Sequence, residues 1–383
     1  MNPVDRFEEV VRWRHHLHRH PELGFQERET SAFIAQKLTG WGLAVQTGLA
    51  GTGVVGTLSR GSSRRTIGIR ADIDALPILE ASDISHRSSR SGIMHACGHD
   101  GHTAMLLAAA RECATHGQFD GTVHFIFQPA EENEGGARAM VEQGLFQQFP
   151  VDAVYALHNW PALSIGTCVV RDDAMMAAFA TFEIKVQGKG AHGGMPHEGH
   201  DPVVAASQIV CALQTIASRN VAPLEASVVT VTQVHAGDAW NVIPETGIIR
   251  GTTRWFDSGV GELIERRIGK IAARVAEAFD CTAEIAYTHR YPATINHKPC
   301  AEFVRSVLDE KRILACQDAK PSMAAEDFAF MLREVPGAYV WLGAGKPGEN
   351  PGLHSPYFDF NDDVIPLGIE LWEAVISSAL RPE

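Results

Sequence analysis

Nine consecutive residues, Met94-His95-Ala96-Cys97-Gly98-His99-Asp100-Gly101-His102, hold four side chains of metal-ligating type. Thiolate and imidazole are borderline-soft donors of the kind that bind first-row transition metals. Alone, the segment is also readable as a His-rich loop capping a helix that begins near Thr103. A second cluster, Gln128-Pro129-Ala130-Glu131-Glu132-Asn133-Glu134-Gly135-Gly136, follows directly on an apolar strand at residues 123–127. Two adjacent carboxylates at a strand end cost free energy unless they are paired or ligate a cation. Complementing the dipole of a following helix accounts for Glu134. It does not account for the repetition of the theme elsewhere. Asp72 and Asp74 follow a strand at 66–70, His158 follows one at 152–157, and His354 lies in the Gly352–Pro356 loop after one at 339–342. Polar, ligand-type residues at several strand ends converge on one crevice, where parallel-sheet enzymes bind their ligands.

The elements that must carry these ends alternate along the chain. Helical periodicity appears at residues 4–17, closed by Pro21, and again at 30–38. Short β-branched runs at 53–58, 66–70 and 122–127 are separated by an Ala- and Leu-rich helix at 103–111. This alternation predicts an α/β fold, a mostly parallel sheet flanked by helices. Near Ala177 the pattern changes. Residues 178–186 alternate apolar and polar, as a strand with one solvated face does. Asp201 and Pro202 open a helix at 201–218, and strands follow at 227–234 and 247–256. Residues 261–279 form an amphipathic helix with Ile264, Ile268, Ile271 and Val275 on one face, and a last strand spans 282–287. The order β-α-β-β-α-β is that of a ferredoxin-like α+β unit. The expected organisation is a first catalytic part (1–176), an inserted lid or dimerisation domain (177–290), and a second catalytic part (291–383).

The chain has 383 residues, 46 acidic against 33 basic, for a formal net charge of −13. Such a surface repels phosphate backbones, which argues against nucleic acid as a partner. Hydrophobic content of 45% suffices for real cores. Seven cysteines without a C-x-x-C pair read as reduced thiols. Cys113, Cys211 and Cys316 fall in helical patterns as small buried groups. The first residues lack a basic patch followed by an apolar run, and no apolar run approaches the length of a membrane span. A soluble, cytoplasmic protein without membrane contact is expected. The 18 histidines are numerous; His15, His16, His18 and His20 point in several directions on a helix and are not expected to ligate directly. His197 and His200 flank the Pro196 loop.

Several blocks resemble the M20 metallopeptidase family, most closely its amidohydrolase branch of hippurate hydrolases, N-acyl-amino-acid amidohydrolases and hydrolases of indole-acetyl amino-acid conjugates. They are His18-Arg19-His20-Pro21-Glu22-Leu23-Gly24, Arg70-Ala71-Asp72-Ile73-Asp74-Ala75-Leu76-Pro77, Cys97 to His102, Gln128 to Glu132, Gly190-Ala191-His192-Gly193-Gly194-Met195-Pro196, Asn241-Val242-Ile243-Pro244 and Ala325-Glu326-Asp327-Phe328. They occur in order, nearly end to end. The resemblance implies two divalent metal ions per subunit held by Cys97, His99, Glu132, His158 and His354. Cys97 takes the bridging role that a carboxylate plays in other branches. Those branches open with His-x-Asp; here the stretch is Asp72-Ile73-Asp74, so Asp72 and Asp74 are expected to support the ligands from behind. The metal is left open among Zn and Ni, favoured by the thiolate, and Mn or Co.

By the same resemblance Glu131 is the general base acting on a metal-activated water. His192 of the small domain stabilises the developing oxyanion, often across a dimer. Asn241 touches substrate, and Arg254 is suited by its bidentate fork to meet an amino-acid carboxylate. The implied activity is hydrolysis of N-acyl amino acids, N-acetyl, N-benzoyl or similar, to a carboxylic acid and the free amino acid. The alternatives are a dipeptidase or aminopeptidase on the same scaffold, and a catalytically silent metal or amino-acid binding protein. An open ferredoxin-like sheet has unpaired edges, which predicts a homodimer through about residues 177–290.

Overall fold

The computed structural model describes residues 3–132, 134–346 and 351–382. Helices α1 (Pro3–Arg19) and α2 (Arg28–Gly40) open the chain, followed by strands β1 (Ala44–Leu49), β2 (Gly53–Arg60) and β3 (Thr66–Asp72). Helix α3 (His99–His116) leads to β4 (Gly121–Gln128); α4 (Gly136–Glu142) and α5 (Leu145–Gln148) precede β5 (Ala153–Ser164), β6 (Thr167–Val169) and β7 (Ala174–Met176). Next come β8 (Ala178–Gln187), β9 (Ala191–His192), α6 (Pro202–Leu213), β10 (Ser227–Ala236), β11 (Val242–Ile243) and β12 (Thr246–Trp255). Helix α7 (Ser258–Glu277) and strands β13 (Thr282–Tyr291) and β14 (Thr294–Ile295) follow. The chain finishes with α8 (Lys298–Lys311), β15 (Ala315–Cys316), α9 (Ala329–Glu334), β16 (Gly337–Gly345) and α10 (Ile365–Ala379). These elements form two compact units: Met1–Met175 with Thr294–Lys320 and Asp327–Glu383, and Met176–Ala293 with Pro321–Glu326.

The first unit is built on an eight-stranded sheet in the order β1-β2-β4-β3-β5-β16-β6-β15. Its centre, β4-β3-β5-β16, is parallel, as the buried apolar runs predict. Register aligns the strand ends, with Asp72 beside Gln128 and His158 beside Trp341. Helix α3 is buried from His99 through Ala110. A helix apolar nearly all round must be covered on every side, and Gly101 lets the Phe360 ring lie directly against it.

The second unit is a four-stranded antiparallel sheet in the order β10-β12-β8-β13, the ferredoxin-like arrangement expected. Alternate residues of β8 turn inward, and Ile264, Ile268 and Ile271 of α7 complete the core with α6. Asp201 and Asp257 cap α6 and α7: the first accepts the Val203 N–H at 2.8 Å and the second the Val260 N–H at 3.0 Å.

Several expectations are corrected. Strand β1 has no counterpart in the sequence reading. The helix expected at 201–218 ends at Leu213, and a separate π-helical turn spans Ile216–Asn220. Cys211 is exposed on α6, and Cys316 is an exposed strand residue instead of a buried helical one.

Candidate metal centre

The site is assembled at the carboxyl ends of the parallel strands of the first unit. Gly98, at φ +93°, turns the chain into α3; a Cβ there would run into the Asn159 side-chain amide. This left-handed position, open to glycine at little cost, sets Cys97 just before the helix and His99 at its first residue. Glu131 and Glu132 follow Ala130, which itself holds φ +53°. The strained backbone is pinned by Glu27, which accepts the Ala130 N–H at 2.8 Å and the Thr52 hydroxyl at 2.6 Å. Burial raises the Glu27 carboxyl to about 7. His354 is also left-handed, at φ +65°, and its N–H is held by the Ala96 carbonyl at 2.8 Å. Strain in non-glycine residues of this kind persists where surrounding structure over-determines it, and it clusters at functional sites.

Among the described residues five groups of candidate donors result: Cys97, His99 and His158; Cys97, Glu132 and His354; His99, Glu131 and Glu132; Asp72, His99 and His102; and Glu131, Glu326 and Asp327. Within each, the donor atoms lie within 4.8 Å of one another. Cys97 Sγ is 3.3 Å from His158 Nε2, and His354 Nε2 is 3.1 Å from Glu132 Oε1. Backbone and carboxylate contacts select the histidine tautomers. His158 donates Nδ1–H to the Asn159 carbonyl at 2.7 Å, and His99 donates Nδ1–H to the Asp74 carbonyl at 3.0 Å with Asp74 Oδ1 at 3.2 Å. Both therefore present an Nε2 lone pair to the cluster, and His99 Nε2 is buried with no hydrogen-bond partner. Buried imidazole lone pairs beside a thiol and carboxylates are the donor set of a transition-metal site. Cys97 belongs to two of the groups, so its sulfur is common to both.

Electrostatics point the same way. Burial, then Glu132, Glu131 and Asp72, pushes the Cys97 thiol well above its usual range. Burial opposes charge on His99, but Asp72, Asp74 and Glu132 outweigh it and raise this imidazole to about 10, so that a proton competes with a metal ion for its Nε2. Burial and the neighbouring His102 hold His158 well below the usual histidine range. Such a concentration of negative charge around a buried thiol fits a cation, which inverts the local preference and favours the thiolate.

Asp72 and Asp74 stand behind the cluster as expected. Asp74 orients His99 and accepts the Glu132 N–H at 3.0 Å. Burial alone would raise Asp72; His99, Arg70 and His102 overcome it and hold the carboxylate well below its usual range. His102 donates Nδ1–H to Asp72 at 2.6 Å, and its Nε2 faces the Asn159 N–H at 3.0 Å. His95, counted among the donors of its segment, joins none of these groups. It is wholly buried, neither ring nitrogen is hydrogen bonded, and burial lowers its pKa to about 4.

Other supporting residues escaped the sequence reading, apart from His18, expected to approach the site without ligating it. Arg70 donates to Gln128 at 2.7 Å and to Asp72 at 2.8 Å, and lies 3.2 Å from Asp327, which also takes the Ala137 N–H at 2.8 Å. His18 is buried between Asp100 at 2.8 Å and Glu80 at 3.3 Å, while Arg14 bonds Asp362 and Asp359 at 2.8 and 3.0 Å. His20 stays outside, its Nδ1–H on the His16 carbonyl at 2.8 Å. The turn after His20 bridges to the strand end, with Leu23 paired to Ala75. The family-like blocks around His18, Arg70 and Asp327 were the available signal. Trp160, two residues beyond His158, stacks on Trp341 with ring centroids 4.1 Å apart and planes at 9°.

In the second unit, His192 and Asn241 are brought together. Val242 is the strand partner of His192, and the Gly193 N–H donates to the Asn241 carbonyl at 2.7 Å. Both side chains are exposed. Arg254 lies eight residues along β12 from Thr246, on the order of 25 Å away, its guanidinium 4.1 Å above the Phe179 ring. Within this unit the structure does not bring it to His192.

A sheet whose parallel strand ends carry a Cys, His and Glu cluster defines a hydrolytic metal-site architecture, and the chain belongs to peptidase family M20/M25/M40, whose family model matches residues 68–378. It is 40% identical over 365 residues to the hippurate hydrolase of Campylobacter jejuni, covering 93% of each chain. It is 38% identical over 368 residues to the N-acetyl-L-cysteine deacetylase of Bacillus subtilis, covering 95% of this chain and 87% of that one. Among solved structures, a dinuclear metal binding peptidase of the M20 family from Bacillus subtilis superposes with a TM-score of 0.85 at 31% identity, over 98% of this chain and 99% of the other.

Proposed function

We propose that the protein is a metal-dependent amidohydrolase that cleaves the amide of N-acyl amino acids, releasing a carboxylic acid and the free amino acid. The observation that carries this reading is the overlap of three donor groups, Cys97 with His99 and His158, Cys97 with Glu132 and His354, and His99 with Glu131 and Glu132. The names of its relatives, hippurate hydrolase and N-acetyl-L-cysteine deacetylase, support it. Cys97, His99, Glu132, His158 and His354 would hold two divalent ions. When bound, the ions lower the pKa of a water and polarise the scissile carbonyl.

The chain's own residues supply the rest. Glu131, buried beside His99 and Glu132, takes the proton of the attacking water and passes it to the leaving nitrogen. Asp74 keeps His99 in the tautomer that a ligand needs, and Asp72 holds the His102 ring in place behind the cluster. His192 is the donor for the oxyanion and Asn241 a substrate contact; Arg254 is the group for the amino-acid carboxylate. The first unit is the catalytic domain and the second a lid and dimerisation domain. The outermost strands β10 and β13 and the exposed Val203, Val204 and Val234 support a homodimer through the second unit. Among the described residues no helix is long and apolar enough to cross a membrane, and the protein acts in the cytoplasm on a small-molecule substrate.

The test is an activity panel of N-acetyl and N-benzoyl amino acids after chelation and after adding back Mn, Zn, Co or Ni. Activity should vanish with the metal and return with one of these ions; full activity in the stripped protein would overturn the reading. Glu131→Gln should keep its metal content and lose about 10²–10⁴-fold in kcat. A Gln variant with full metal and full turnover removes Glu131 from the role.

A further inference from the structure

On the far edge of the first unit's sheet, away from any role in the proposed reaction, two thiols face each other. Cys168 in β6 and Cys316 in β15 are direct partners in a parallel pair, and their sulfurs are 3.3 Å apart. Neighbouring strands lie ~4.8 Å apart, inside the Cα separation of ~4.4–6.8 Å that a disulfide spans. The pair is anchored on one side and free on the other. Cys168 is buried and also pairs with Leu342 of β16. Cys316 is exposed on a two-residue strand at the sheet edge, where the backbone can give the remaining ångström at little cost. An open groove of about 420 Å³ in front of Cys316, lined by Val170, Arg171, Asp172, Arg305, Gln317 and Asp318, has room for a small reagent.

We propose that Cys168 and Cys316 form a reversible dithiol–disulfide pair, closed by a low-molecular-weight disulfide. The Cys316 thiolate attacks one sulfur of the reagent, forming a mixed disulfide and expelling one thiolate. Cys168 then attacks the Cys316 sulfur, and the protein disulfide forms as the second thiolate leaves. The two protons lost by the cysteines end on the two expelled thiols, so one disulfide is reduced for each one formed. The order of attack follows from access, and from the hydrogen bond with Cys168 and the nearby Arg305, which lower the Cys316 thiol. Closure ties the chain across the 148 positions that separate the two cysteines, each a short way before the chain enters the second unit, at Met176 and again at Pro321.

The test treats the metal-loaded protein with oxidised glutathione, then blocks free thiols and maps the peptides by mass spectrometry. The expected product is a Cys168–Cys316 cross-linked peptide, a chain lighter by two hydrogens, and full reversal by dithiothreitol. In Cys168→Ser the reaction should stop with one glutathione on Cys316, and Cys316→Ser should leave Cys168 unmodified. The idea fails if the wild type accumulates a stable glutathione adduct at Cys316, or if both residues are recovered as free thiols.

Discussion

At the residue scale, much of the side-chain chemistry beneath the metal site is buried ion pairing. His18, with no exposed surface, sits between Asp100 and Glu80, and Arg14 lies 3.7 Å from Asp100. Burial works against a charged His18, but its bonds to Asp100 and Glu80 prevail and raise it to about 9, from a usual value of ~6.5. A pKa raised on folding adds stability that is complete below about pH 6.5 and lost as the pH climbs through about 9. Comparing His18→Gln with the wild type by urea unfolding should show a deficit of up to about 3 kcal/mol near pH 6. The deficit should shrink steadily toward pH 9.5 or so; a gap independent of pH would mean that His18 acts by packing alone.

At the element scale, the left-handed turn at Gly98 couples sheet to helix. Gly98→Ala forces both an unfavourable φ and a clash with Asn159, which also faces His102. The variant should lose about 1–3 kcal/mol of stability and bind metal more weakly, measured by thermal unfolding and by metal titration. Asp257→Ala, which removes only the α7 cap, should cost about 1 kcal/mol and leave metal affinity unchanged. The features that these variants probe differ in how far local sequence reveals them. The cap at Asp201, the Ile264, Ile268, Ile271 face and the carboxyl ends of β3, β4 and β5 are written in local pattern, because each depends on neighbours within a turn or a strand; the Asp257 cap was missed, and α7 starts at Ser258 instead of 261. The Glu131, Glu132 and Cys97 to His102 blocks were legible for the same reason. Strand β15 has two residues, too few for any period to show, so Cys316 read as helical. The pairs that support the site join His18 to Asp100, 82 positions away, and Arg70 to Asp327, 257 away. No local periodicity encodes such partners, and only the fold supplies them.

At the scale of the whole molecule, the candidate ligands come from four separate segments, around Cys97, Glu132, His158 and His354, whose donor groups overlap. An ion bound there stabilises the native state by mass action, because the unfolded chain does not hold these groups together. Stripping the metal should lower the Tm, and at a hundredfold excess over Kd the ion should restore about 2.7 kcal/mol. An unchanged Tm would show that the ligand set is not filled. Assembly is tested by sedimentation at micromolar concentration, where a dimer is expected and a monomer would refute association through the second unit.

The stacked indoles of Trp160 and Trp341 give the protein an optical handle on its own chemistry. Two parallel rings 4.1 Å apart are coupled chromophores, and Trp160 also meets the His158 ring edge-on, with centroids 6.3 Å apart. Coordination by His158 should therefore alter the near-ultraviolet circular dichroism of the pair, and paramagnetic Mn should quench its emission where Zn does not. Trp160→Phe should silence that response while Trp13→Phe keeps it. Metal loading could then be followed in real time, without added dye and independently of turnover.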